Sequence, residues 1–272
     1  MSAMRRSCIA RFWERLRTRV SANTSRVLAT APVARSVFWL MITLLAWELF
    51  QGLRASAPIP EGSWALTPFD LAFLVVLPAL SAFAFTRLFL VVTQSSRGTL
   101  NVYSVISSPL AWMFWVGLGV GMIGHGVHLA GHAAQRSLPD IFEQGEFAAK
   151  IAFLDVRLGY FLLGLGFFLA TLAILLVGQG VGQRISGAER LLFVTGSLAT
   201  YGLVIVYLGV EGRQIIPAIA ASVILSAVSF WTLPASEITR DPIGALVVPG
   251  TLLAGIALVV WTLIAGGQPT WP

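Results

Sequence analysis

Residues 151 to 178 read IAFLDVRLGYFLLGLGFFLATLAILLVG, with only Asp155 and Arg157 formally charged. An α-helix needs about 20 apolar residues to cross a hydrocarbon core, and this run exceeds that. Polar and apolar residues do not alternate in it, so it does not read as a strand of a membrane barrel. Six other segments share its character: 36–53, 68–92, 107–131, 190–210, 214–232 and 243–266. The fold class that follows is all-α, a polytopic membrane protein of seven transmembrane helices. Composition agrees. The chain is 57% hydrophobic and 11% charged, whereas soluble domains carry about a quarter charged residues. The fifth and sixth segments meet at Gly212 and predict a tight helical hairpin.

Charge predicts the orientation. The net charge is +6, and eight arginines fall within residues 1–35. Positive flanks stay on the cytoplasmic side, beside anionic lipid. The N-terminus is therefore expected inside and the C-terminus outside. Because the basic charge is local, it points to the lipid bilayer as partner and not to nucleic acid. Two regions follow: a basic cytoplasmic arm at 1–35, amphipathic over residues 4–20 or else disordered, and a transmembrane domain at 36–272. Arginine usage, with Lys150 the only lysine, points to a GC-rich bacterial source, and the expected location is then the bacterial inner membrane. Cys8 is the only cysteine, so the chain has no intrachain disulfide and no thiolate metal cluster.

Ionisable residues inside membrane helices are costly and mark candidate sites. On the expected topology they gather toward the outer ends: Glu48 in the first segment, Asp70 in the second, Asp155 and Tyr160 in the fourth, Glu211 after the fifth. All three histidines of the chain, His125, His128 and His132, lie in GHGVHLAGHAAQ at the end of the third. At about 100° per residue they share one helical face. Two imidazoles one turn apart can chelate one ion, and His128 belongs to either pair. Asp155 would complete the shell from the fourth helix. Gly117, Gly119, Gly121, Gly124 and Gly126 on one helix, and Gly159 and Gly166 on the other, would let the two approach closely. The candidate metal ligands are thus His125, His128, His132 and Asp155, for one divalent ion, zinc first. Asp155 or Glu211 is the candidate general base. The plainer alternatives are interfacial polar anchors for the histidines, a cap or Arg157 pairing for Asp155, a solvated Glu48, a turn with Arg213 for Glu211, and a lipid-interface belt for tryptophans such as Trp47.

Several chemistries lack their signatures. GQGVGQR at 178–184 has no phosphate-loop lysine, and no HExxH or G-x-S-x-G occurs. Histidines from one helix cannot ligate a haem from both sides.

Seven helices with histidines and acids near one face resemble the seven-helix membrane hydrolases that include alkaline ceramidases and adiponectin-receptor-like proteins. That resemblance implies a zinc ion activating water against a lipid amide or ester. The family's histidine pair on its last helix has no counterpart here, so only His125, His128 and His132 stand for its ligands. GHGVHLAGHAAQ and FLDVRLGYFLLGLG also resemble a paired pattern of uncharacterised bacterial membrane proteins. In that pattern an acid follows the Asp and a histidine follows later, where this chain has Val156 and Tyr160. The expectation is zinc-assisted hydrolysis of a membrane-soluble substrate. Its rivals are a metal- or proton-binding transporter, and an accessory subunit with a membrane-protein partner. A transporter should be polar through the membrane depth, and the inner half reads as dry.

Overall fold

The computed structural model describes residues 32–50, 75–97, 107–137, 145–179 and 184–266. The basic arm up to residue 31, the connection at 51–74 with Asp70, and the side chain of His132 lie outside the described residues. Every regular element among the described residues is helical. Seven helices are long and apolar enough to cross a membrane, which fits a multi-pass membrane protein.

The spanning helices are α1 (Pro32–Phe50), α2 (Leu77–Arg97), α3 (Pro109–Ser137), α4 (Glu146–Val177), α5 (Gly187–Val210), α6 (Ile215–Thr232) and α8 (Pro242–Ala265), with a single-turn α7 (Ala235–Ile238) before the last. Their ends follow local chemistry. Ser108 Oγ accepts from Ala111 N at 3.1 Å ahead of the first-turn Pro109 of α3. Ser186 and Glu189 form a reciprocal capping box at the start of α5. Asp241 caps α8 by accepting from Ile243 N and Gly244 N, and Gly266 ends it in the left-handed conformation at φ 69°. A four-residue turn joins α5 to α6, with Arg213 at φ 53°, so the expected hairpin is present.

Two helices run further than their apolar cores. α3 continues to Ser137 and carries all three histidine positions within regular helix. α4 begins at Glu146, whose carboxylate pairs with Lys150 at 2.7 Å. We call the end of the bundle that holds the α3–α4 and α5–α6 connections the upper end. The lower end holds the loop before α5 and the start of α8, joined by Ile185 N donating to Arg240 O at 2.9 Å and by Arg184–Glu237 at 3.1 Å.

The lower and central core is aromatic and aliphatic. Phe89 of α2 and Phe114 of α3 stack at 4.2 Å, in one buried cluster with Leu40, Leu88, Ile174 and Leu246. Large apolar side chains cover the outside: Trp231 is 80% exposed and Ile264 83%. In lipid such a surface costs nothing, and helices associate through close packing and hydrogen bonds.

The middle of the bundle is less dry than the sequence suggests. Ser197, Thr200, Ser222, Ser226, Ser229, Thr251 and Thr171 are all buried. Some return their hydroxyl to the carbonyl four residues back, as Ser222 does to Ala218 O at 2.9 Å. Others join helices: Ser226 to Thr251 at 3.0 Å, Thr171 to Tyr201 at 3.2 Å. Pro249 lies inside α8, and the next amide, Gly250 N, donates across to Ser197 Oγ at 2.8 Å. Ser197 adjoins a π-helical stretch at Leu198–Gly202.

Candidate functional site

The site starts from a backbone contact. A β-carbon placed on Gly159 would lie 2.9 Å from the Cα, Cβ and N of His128, and one on Gly131 would lie 2.5 Å from Asp155 Cβ. Only glycine permits this approach of α3 and α4. The glycines of α3 divide into two sets. Gly117, Gly121 and Gly124 face α4, while Gly119 and Gly126 face open space. The expected close contact is therefore present, on three of the five glycines.

That contact brings His128 and Asp155 together, with His128 Nδ1 2.6 Å from Asp155 Oδ1. Both are buried, Asp155 to 3% exposure. A buried carboxylate needs such a partner to offset its desolvation. With Nδ1 held by the carboxylate, the ring presents Nε2 as its other functional nitrogen.

Asp155 lies in a π-helical stretch, Phe153–Gly159. In i→i+5 winding, residues five apart stack. Asp155 and Tyr160 therefore come to the same side, and the Tyr160 ring sits 4.5 Å from that of His128. At ordinary helical spacing they would diverge by about 140°. Tyr160 Oη then pairs with Tyr207 Oη of α5 at 2.5 Å. The α5–α6 turn closes over this group: Gln214 Nε2 donates to Arg157 O at 3.2 Å, and Gly212 packs on the Tyr160 ring.

A cavity of about 100 Å³ runs beneath, among α1 to α5. His125, His128, Tyr160, Tyr207, Glu48 and Ser81 line its polar part, and its remaining walls are apolar. His125 points toward α1, where Trp47 meets it edge to face at 4.7 Å. Trp47 is thus also a wall of the cavity. Glu48 likewise borders the cavity and is half-buried. Ser81 is 7% exposed, and its Oγ makes no hydrogen bond among the described residues. A buried hydroxyl without a partner costs about 1–3 kcal/mol.

The other candidates lie elsewhere. Glu211 is exposed at the end of α5 and does not line the cavity. His132 is placed on α3 by its backbone alone. Among the described residues no group of three or more His, Cys, Asp or Glu side chains is arranged to hold a metal ion. Asp155 Oδ1 lies against the imidazole itself, the position a carboxylate takes behind a ligating or proton-carrying histidine. Sequence reasoning missed Tyr207 and Ser81, and Tyr160 as part of the His128 contact. The stretch between Asp155 and Tyr160 gives no sign of π winding. No known protein family, no curated protein and no solved structure matches this chain.

Proposed function

We propose that this chain is a multi-pass membrane protein whose upper cavity performs acid–base chemistry on a membrane-soluble substrate, hydrolysis of a lipid ester or amide being the reaction class. The observation that carries the reading is the Asp155–His128 pair at 2.6 Å, buried at the wall of an apolar cavity. His128 Nε2 would take a proton from water as its oxygen bonds to the substrate carbonyl carbon. It would return that proton to the leaving oxygen or nitrogen as the old bond breaks. Asp155 would hold the ring and stabilise the imidazolium, as the carboxylate does in other His-dependent hydrolases. The Tyr160–Tyr207 hydroxyl pair would donate toward the developing oxyanion. Glu211 has no part in this version of the mechanism. On the charge argument the cavity faces the side opposite the arginine-rich arm, which is outside in a bacterial inner membrane.

A second reading places one divalent ion, zinc first, on the cavity's histidines. It draws on His125 and His128 one turn apart on the same wall, with Asp155 behind His128. The described residues supply no third donor arranged for it, so the dyad alone is the better fit.

The test is turnover by the purified protein in nanodiscs, against a panel of acyl esters and amides, together with elemental analysis. The expected result is turnover that falls about 10²–10⁴-fold in His128→Ala. Turnover indifferent to His128 would end the hydrolytic reading. Stoichiometric zinc that disappears in His128→Ala would favour the metal reading.

A further inference from the structure

The cavity has a direction. Its polar side chains cluster at the upper end. Leu77 of α2 packs against Leu129 of α3, so Ser81, one turn further along α2, comes level with His125, one turn back along α3. Ser81 thus stands at the height of His125, one turn below His128, and lines the same cavity as both from another helix. Below this level the walls are Leu118, Met122, Leu163, Phe167, Phe85 and Ala170. Along α3 the lining extends from His128 to Gly117, roughly 16 Å at 1.5 Å per residue. The space is narrow, polar at one end and apolar along its length.

The charge at the polar end adds a constraint. Glu48 and the Asp155 partner of His128 are both acidic, and no lysine or arginine lines the cavity. An anionic head would give up its hydration in a low-dielectric wall that offers no cationic partner.

We infer that the cavity takes a single-chain amphiphile with an uncharged polar head, an alcohol, ester or amide. The head hydrogen-bonds to Ser81 Oγ beside His128, and the chain lies down the slot toward Leu118 and Ala170. This rests on the reading of the upper cavity as the functional site and names its substrate class. A neighbouring apolar groove of about 200 Å³ between α4, α5 and α6 shares Tyr160, Phe167 and Leu208 with the cavity but lacks Ser81 and His128. It is the alternative course for the chain.

The experiment is photolabelling in nanodiscs with straight-chain alcohols of different length bearing a terminal diazirine, and with the matching fatty acids, read by peptide mass spectrometry. The expected result is saturable labelling of α3 near 117–122 and α4 near 163–170, stronger for the alcohol than for the acid. Ser81→Ala should weaken it roughly threefold to tenfold, the worth of one hydrogen bond. Leu118→Trp should shift the preference to shorter chains. Gly164→Leu, which fills the neighbouring groove, should leave that preference unchanged. A β-carbon at 164 meets only Leu208 Cδ1, at 3.5 Å. Labelling that does not saturate in the native protein, or that follows Gly164→Leu instead of Leu118→Trp, overturns the inference. A stronger acid arm overturns the neutral head. His128→Gln separates the two proposals. Slot labelling kept in that variant supports binding whether or not turnover depends on His128, and slot labelling lost with it removes the inference.

Discussion

The upper cavity and the middle of the bundle both bury polar groups, but they do so in opposite ways. In the middle, hydroxyls satisfy each other or the nearest backbone. Ser226 meets Thr251, Tyr201 meets Thr171, and Ser197 accepts from the amide of Gly250, just after Pro249 in α8. These groups hold α4, α5, α6 and α8 together. At the upper end the polar groups include ionisable ones, Glu48 and Asp155, and they border a cavity. Ser81 there spends its hydroxyl on no described residue. Hydrogen bonds that close on themselves stabilise a membrane bundle. Ionisable groups beside a cavity cost stability and are kept for function.

The largest effect should come from Gly159→Leu. The leucine would meet His128 backbone atoms, which cannot rotate away as a side chain can. Helix α4 must move, and the 2.6 Å contact must open. The expected cost is at or above the top of the roughly 1–3 kcal/mol range for overpacking, with loss of all site function. Thermal unfolding in detergent and turnover measure it. Gly164→Ala, with only an ordinary contact to Leu208, is the control. If both substitutions behave alike, the backbone approach of α3 and α4 is not what builds the site.

Next is a pair that sets the two regions against each other. Asp155→Asn keeps the volume and leaves an amide oxygen for Nδ1–H. Stability should change by no more than about 1 kcal/mol, while proton transfer through His128 falls about 10²–10⁴-fold. Ser197→Ala should do the reverse. It removes the cross-helix acceptor of a buried amide, Gly250 N, at about 1–3 kcal/mol, and leaves the cavity chemistry near its native rate. Chemical denaturation beside turnover reads both. A stability loss in Asp155→Asn as large as that in Ser197→Ala would make the dyad another structural fastener.

The same contrast explains what the sequence could reveal. The seven spans were legible because apolar runs of this length have one solution in lipid. Asp155 and His128 were legible as partners because glycines on both helices announced a close approach. Tyr160 escaped as their neighbour because π winding turns a residue five positions away onto the same face. The contact of Trp47 with His125 escaped because span position alone does not tell which side of α1 meets α3. Glu211 read as a base because it ends a helix at the right height, yet its side chain is exposed. The hydroxyls of the middle were passed over because serine and threonine can hide their polarity on their own helix. Only packing shows which of them, such as Ser197, bond across.

The smallest effect concerns the lower end and pH. Asp241 caps α8 and is 7% exposed. Burial pushes its carboxyl up from 3.8 to about 6, against the two backbone N–H groups of Gly244 and Ile243 that favour the ionised form. A carboxyl raised in the folded state binds its proton more tightly there than in the unfolded chain. Its contribution to stability is therefore fullest below pH 3.8 and declines as pH rises through about 6, with no further change above. Asp241→Asn keeps a cap oxygen for the two amides and removes the titration. Unfolding curves between pH 4 and 7 should converge for the two proteins at the acid end and separate toward neutral, the native protein losing more. A native curve that gains stability relative to Asp241→Asn across that window would mean that the ionised cap outweighs its burial. The lower end would then resemble the upper one in keeping a charge.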